Sequence, residues 1–322
     1  MYMFKYIMKR IGLMVLTFII IEIICFVLIK SLKINIDIQL GVDAEIIRRQ
    51  LVDRGYFDPI PVQFINYIKR IFLEGDFGVC YFIPQYRYKS VVELFGMKLP
   101  PTVLINIYST LFAVPIGIGL GIFAALKKNK WQDQVISTVV MVFISVPSFV
   151  YAFLVQYLLC YLPGNYGLPI TMKAGYDYFS FDMFRSMIPA VLSLSFGSIA
   201  GYTRYTRAEL TEVLTSDYML LARTKGLTRA QATTRHALRN AMVPIFPSIV
   251  AEFITVMSGS LIIEQIFAVP GVGGMYLTAI TWQDYDSFMF LSGFYILIGL
   301  VASLVIDLSY GVIDPRIRMG AK

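Results

Sequence analysis

The sequence predicts an all-α membrane protein with six transmembrane helices. Three observations carry this. Of 322 residues, 57% are hydrophobic and only 15% charged, far from the roughly one-quarter charged composition of soluble domains. The apolar residues gather into six runs long enough, or nearly so, to cross a hydrocarbon core of about 30 Å. The net charge of +7 sits mostly in alternate connecting segments, which is the pattern of a multi-pass chain obeying the positive-inside rule. That placement accounts for the basic balance without a nucleic-acid partner.

The first run spans Ile11 to Ile29 and follows Lys5, Lys9 and Arg10. It is longer than a signal-peptide core and no small-x-small site follows it, so it reads as an uncleaved anchor. The second covers Leu99 to Leu126 and the third Val135 to Leu162. The fourth runs from Ile188 to Arg204, the fifth from Ala241 to Phe267 and the sixth from Phe288 to Tyr310. With the N-terminus inside, residues 1–10, 127–134, 204–240 and 313–322 face the cytoplasm and hold most of the basic residues. The segment 163–187 has only Lys173 and Arg185, and 268–287 has none. Both termini are therefore expected inside. The organisation expected is 1–30 as N-terminus and first span, 31–98 as an extracytoplasmic segment, and 99–322 as a five-span core with a cytoplasmic loop at about 204–244.

Several spans carry residues that need water or a partner helix. Pro115, Pro147, Pro244 and Pro247 interrupt helical hydrogen bonding. Gly117, Gly119 and Gly121 form a small-residue stripe suited to close helix packing. Glu22, Glu252, Glu264 and Asp307 lie in or near apolar runs, where carboxylates face a cavity or a partner. For Glu264 and Asp307 the alternative is a helix end reached by water. Asp284 and Asp286 read as a solvated loop, with contact to a partner protein as the alternative. The cysteines, Cys25, Cys80 and Cys160, form no Cys-x-x-Cys pair and imply no disulfide framework. The lone histidine, His236, excludes a His-x-x-x-His metal helix. No catalytic residue, metal site or cofactor is expected.

The loop from Arg204 to Pro244 carries the most information. Thr215, Ser216 and Asp217 are good N-cap residues. Tyr218, Leu221 and Ala222 follow at i, i+3 and i+4, which gives a short apolar face. Gly226 is placed to end that helix, and Thr228 with Gln231 makes a capping box that starts a second one. The second helix carries Arg229, Arg235, His236 and Arg239. Sequence physics leaves three readings: a helix projecting onto a cytoplasmic partner, a basic loop in solvent, and a DNA-reading helix–turn–helix, which is geometrically awkward between two membrane spans.

The stretch Asp217 to Leu227, DYMLLARTKGL, continuing through Arg235 to Pro244, RHALRNAMVP, resembles the EAA loop of ABC importer permeases. It is similar in particular to the B-type transmembrane subunit of the dipeptide/oligopeptide family. Ala222, Gly226 and the Met242–Pro244 end match that loop, while Leu220 and Leu221 replace its first Glu-Ala. Gly55 to Phe64, Gly75 to Gly78, Leu99 to Leu104, Glu264 to Gly273 and Asp307 to Arg318 resemble further blocks of the family, in order. The Pro-Gly-Asp-Pro usual after the first span is absent, and Lys33 to Gln39 stands in its place.

The resemblance implies a type I ABC importer permease fold. It also implies a pore-forming subunit that moves oligopeptides or dipeptides into the cytoplasm by alternating access, in a bacterial cytoplasmic membrane. Its implied partners are a second homologous permease subunit, two cytoplasmic ATP-binding subunits and an extracytoplasmic peptide-binding protein, with lipid around the spans and no nucleic acid. The short helix at Asp217–Lys225 would seat in an ATPase groove, with Tyr218, Leu221 and Ala222 as its docking face and Gly226 and Leu227 at its bend. Arg223 and Lys225 either meet acidic or carbonyl groups of the ATPase or are solvated. The chain has no Gly-x-x-x-x-Gly-Lys-Ser/Thr loop, so ATP is expected on other subunits. A same-family permease for nickel or another small solute stays open. A membrane-embedded enzyme lacks its motifs: there is no His-Glu-x-x-His and no Gly-x-Ser-x-Gly.

Overall fold

The computed structural model describes residues 2–32, 44–173, 175 and 177–313. The replaced block at Lys33 to Gln39 and the tail beyond Ile313 lie outside them. Among the described residues, five helices are long and apolar enough to span a membrane. They lie at Lys5–Ser31, Val91–Leu126, Phe181–Leu214, Arg229–Ser258 and Tyr285–Ser309. A bent pair, Trp131–Ser145 with Ser148–Tyr161, supplies a sixth if taken as one span. The chain is a multi-pass membrane protein.

In order, the elements are α1 (Tyr2–Ser31), α2 (Ala44–Asp53), α3 (Ile60–Lys69, with a π turn over Arg70–Glu74), α4 (Val91–Leu126), α5 (Trp131–Ser145) and α6 (Ser148–Gln156). They continue as α7 (Phe181–Leu214), α8 (Asp217–Thr224), α9 (Arg229–Ala232, with a π turn over Thr233–Ala237), α10 (Leu238–Thr255), α11 (Leu261–Ile266), α12 (Val272–Thr281) and α13 (Tyr285–Ile313). Several expected boundaries move. The second span begins at Val91 rather than Leu99, and the fourth reaches from Phe181 to Leu214, because helix continues through polar residues beyond each apolar run. Ser180 starts that fourth helix by accepting from the Met183 N–H. The third span bends by 103° beside Pro147, whose ring cannot continue the helix before it.

The fifth span ends at Ser258, not at Phe267. Gly259 breaks it with φ +66°, and a Cβ there would collide with the Glu264 carboxylate. Glu264 then lies on the separate helix α11. It is not at a wetted end: it is 3% exposed and accepts a hydrogen bond from the Thr102 hydroxyl at 2.9 Å.

Two compact units make up the chain. The first comprises Met1–Pro100 with Gly271–Leu300, and the second Pro101–Pro270 with Val301–Lys322.

In the first unit, Phe26 and Ile29 of α1 pack with Tyr67 of α3 and with Tyr285 and Met289 of α13. The Lys30 ammonium lies 3.7 Å from the Tyr56 ring centroid and 3.9 Å from that of Tyr285, in cation–π range. Asp284 and Asp286 correct the solvated-loop expectation, since both are buried. Asp284 Oδ2 accepts from the N–H groups of Tyr81 and Phe82 at 2.8 and 2.9 Å. Its Oδ1 accepts from the Ser287 N–H at 3.1 Å and so caps α13. Burial pushes the Asp284 carboxyl above its usual range, opposed by the amide donors. Asp286 accepts from the Val79 N–H at 3.3 Å and faces Arg54 at 3.7 Å and Arg70 at 3.6 Å. Two carboxylates thus order residues 78–82, which would otherwise leave buried amides without partners.

In the second unit, Gly117 and Gly121 of α4 meet α7. A Cβ on Gly117 would stand 2.7 Å from the Tyr202 Cβ, and one on Gly121 2.6 Å from the Thr206 Cβ. This i, i+4 pair lets the two backbones approach. Gly119 faces open space and takes no part. A methionine-rich cluster of Met172, Met183 and Met187 with Ile105, Ile263 and Phe267 forms one buried core of this unit.

Candidate functional site

The loop between α7 and α10 folds as two short helices around a glycine bend. Helix α7 runs to Leu214, so Thr215 and Ser216 alone separate it from α8. Neither hydroxyl caps α8, contrary to expectation. Thr215 Oγ1 donates to the Glu212 carbonyl at 2.9 Å and Ser216 Oγ to the Val213 carbonyl at 2.6 Å. Those side chains join the Thr215 and Ser216 N–H groups, which donate to the same two carbonyls at 3.2 and 3.1 Å, in closing the end of α7. Asp217 opens α8, where its charge complements the helix dipole, and Arg223 occupies the last turn.

The end of α8 is a glycine stop of defined geometry. Gly226 has φ +90°. The Gly226 N–H donates to the Arg223 carbonyl at 3.0 Å, and the Leu227 N–H to the Ala222 carbonyl at 3.3 Å. These are the paired bonds of a Schellman motif. The apolar contact that accompanies it is present too, since Leu227 and Ala222 share one cluster. Two residues on, Thr228 and Gln231 form the expected capping box. The Gln231 N–H donates to Thr228 Oγ1 at 3.3 Å, and the Thr228 N–H to Gln231 Oε1 at 3.0 Å.

Helix α8 is two-faced, with a phase that differs from the sequence reading. Met219 and Ala222 point inward, with Leu210, Ala125, Ala232, Ala237 and Ala241. The alanines admit the backbones of α7, α9 and α10 to close range, and Met219 fills the remaining gap. Ala222 therefore supports the helix from beneath and does not belong to its exposed face. Tyr218 and Leu221 do face outward, at 41% and 55% exposure, and Leu220, at 63%, joins them. Arg223, Lys225 and Gly226 are exposed, and Leu227 is half-buried. Spacing alone missed Met219 and Leu220.

Beside this ridge lies a hollow of about 440 Å³, lined by residues that include Asp217, Leu220, Arg223 and Arg229. The exposed positions Arg229, Arg235, His236 and Arg239 follow it. The site thus offers an apolar ridge of Tyr218, Leu220 and Leu221 beside arginines on a helix braced from within. It can receive a protein surface that is apolar at the ridge and acidic around it.

The bracing extends along α7. Arg207 grips Asp133 of α5 with two parallel hydrogen bonds, Nε to Oδ1 at 2.5 Å and Nη2 to Oδ2 at 2.8 Å. Asp133 Oδ2 also accepts from the Asn129 N–H at 2.9 Å, which fixes the basic turn at Lys127–Lys130. Among the described residues, no group of three or more His, Cys, Asp or Glu is gathered to hold a metal.

Residues 117–319 match the family described as "Binding-protein-dependent transport system inner membrane component". Curated relatives align over nearly the whole chain. The dipeptide transport system permease protein DppB of Lactococcus lactis subsp. cremoris is 31% identical over 326 residues, covering 98% of this chain and all of that protein. The oligopeptide transport system permease protein OppB of Mycoplasma genitalium is 34% identical, over 98% of this chain and 77% of its own length. The glutathione transport system permease protein GsiC of Salmonella typhi is 28% identical over 98% of this chain and 99% of its own. The matched model covers well over half of the sequence, and it includes the α8 loop, the Gly117–Gly121 crossing and α10. With the DppB and OppB alignments, this places the chain in the binding-protein-dependent transport system inner membrane component family, among the ABC importer permeases of the dipeptide and oligopeptide branch.

Proposed function

We propose that this chain is one of two pore-forming subunits of an ATP-driven importer that brings peptides into the cytoplasm. Membership in the family implies association with ATP-binding subunits and with a substrate-binding protein, and ATP hydrolysis belongs to the separate subunits. The cargo reading follows the names of the relatives, which are dipeptide, oligopeptide and glutathione permeases. No observation favours nickel. The second subunit is a homologous permease, and both termini lie on the cytoplasmic side with the α8 loop. The segment 31–98 then lies on the extracytoplasmic side.

The single observation that carries the coupling role is the divided burial of α8. Met219 and Ala222 lock it to the span ends while Tyr218, Leu220 and Leu221 stand exposed. A helix held this way transmits a push on its outer face into α7 and α10 without first unfolding. It fits the helix-in-groove mode of recognition. ATP-driven movement of the groove then tilts α7 and, through Arg207 and Asp133, α5. The test is uptake of a labelled peptide by proteoliposomes holding the complete transporter, with its binding protein outside and ATP inside. ATP-dependent accumulation supports the reading; peptide-independent ATPase activity with no accumulation of any peptide rejects it.

A further inference from the structure

Glu252 stands on α10 about 4 Å from the middle of the apolar stretch 241–258, at 1.5 Å rise per residue. The Ser198 hydroxyl of α7 donates to its Oε1 at 2.9 Å, and the Tyr202 side chain lies beside the same carboxylate. Ser198 and Tyr202 are four residues apart on α7 and so share one face. Gly201 lies on that face, and a Cβ built there would meet no atom within 4 Å. Four residues further on, the Tyr205 hydroxyl donates to the Pro244 carbonyl at 3.2 Å. A polar seam therefore runs between α7 and α10 over about 12 Å of their length, with open space beside it at Gly201.

The Glu252 carboxylate is only half-buried. Its exposed part cannot be turned to lipid without a cost of several kcal/mol, and such residues face a water-filled path or a partner. The Ser198 hydroxyl holds it in place beforehand, so less ordering remains when a cation arrives. The chemistry that completes it is a positive hydrogen-bond donor with room for several N–H groups, which is an ammonium.

We propose that Glu252 is the point in the translocation path that receives the ammonium group of the cargo peptide. This rests on the peptide-import reading. Glu252 acts as a specificity residue, while Ser198 positions it.

The test uses the complete transporter in proteoliposomes, with wild type, Glu252→Gln and Glu252→Asp. The cargo is a peptide pair, free or acetylated at its N-terminus, chosen for equal affinity to the binding protein; a third, acetylated peptide carries a lysine. The expected result is a loss of about tenfold in initial uptake of the free-amine peptide with Glu252→Gln, the scale of one charge-assisted hydrogen bond. The acetylated neutral peptide is expected to stay within about twofold of wild type, and Glu252→Asp to recover most of the free-amine rate. Loss with the lysine peptide as well shows that any ammonium is read; retention shows that the N-terminal one is. An equal fall for all cargoes, a reduced yield of assembled complex with Glu252→Gln, or no fall at all overturns the proposal. Failure of the wild type to import any of the three instead rejects peptide import itself.

Discussion

Arg207 of α7 holds Asp133 of α5 in a two-pronged grip, with bonds of 2.5 and 2.8 Å, and Asp133 is only 3% exposed. A fork of this kind resists both sliding and twisting, which a single point contact does not. It joins the turn at Lys127–Lys130 to the helix that leads into α8. Arg207→Ala leaves the Asp133 carboxylate buried without its cation and is expected to cost roughly 3 kcal/mol. Arg207→Lys keeps the charge but loses the fork, and is expected to fall between the two. Thermal unfolding of the purified protein in mild detergent, read by tryptophan fluorescence, checks the order wild type, Lys, Ala.

Gly226 carries a φ of +90° at the stop of α8, and a side chain added there meets open space. The penalty of a substitution is thus conformational rather than steric. Gly226→Ala is expected to destabilise the bend by about 1–2 kcal/mol. Gly226→Asn, a residue that tolerates the left-handed region, is expected to cost less. Hydrogen exchange at the Leu227 and Gly226 amides is the readout: faster exchange in the Ala variant, with intermediate rates for Asn.

Asp284 serves two structures with one carboxylate, capping α13 through Oδ1 and taking the Tyr81 and Phe82 amides on Oδ2. Asp284→Ala strands those amides in a buried place, at roughly 1–3 kcal/mol for an unsatisfied buried donor. Local proteolysis of the 78–90 segment is expected to rise in this variant. Asp284→Asn retains a carbonyl acceptor and is expected to be cleaved more slowly than Asp284→Ala.

Glu22 runs the other way. It is 4% exposed on α1, its carboxylate lies against Gly293 of α13, and neither oxygen has a hydrogen-bond partner. Its surroundings are otherwise apolar, among them Phe18, Ile19 and Phe64. Removing a buried polar group that lacks a partner is stabilising, by an amount on the order of its 1–3 kcal/mol desolvation cost. Glu22→Gln keeps an unpaired polar group and gains little, whereas Glu22→Leu is expected to raise the melting temperature. A melting temperature lowered by Leu contradicts this account of α1.

The number of spans and the α8 loop were legible because each rests on local signals. Apolar run length marks a membrane helix wherever it occurs, and Gly226, Thr228 and Gln231 sit at fixed offsets that geometry requires. Span boundaries were less legible, since helices such as α7 continue well past their apolar portion into the loop residues. The fifth span illustrates the limit. Its apolar run continues to Phe267, but Gly259 breaks it because the Glu264 carboxylate needs the space, and Thr102 holds Glu264 from more than 160 positions away in sequence. The burial of Asp284 and Asp286 was hidden for the same reason. Their partners, residues 79–82 with Arg54 and Arg70, lie some 200 positions earlier, and a short polar segment reads as solvated unless those are known. On α8 the apolar residues were visible while the phase was not, because Leu220, Leu221 and Met219 are equally apolar and only packing against α7, α9 and α10 selects which turns inward.

The coupling role of α8 is tested most directly by cysteine crosslinking to the ATP-binding subunit in native membranes. The native Cys25, Cys80 and Cys160 are first replaced, and single cysteines are introduced as Tyr218→Cys, Leu221→Cys and, on the buried face, Ala222→Cys. The account predicts ATP-sensitive capture of the ATP-binding subunit from positions 218 and 221 and none from 222. Capture from 222 with none from 218 or 221, or no capture while the subunits still copurify, contradicts it.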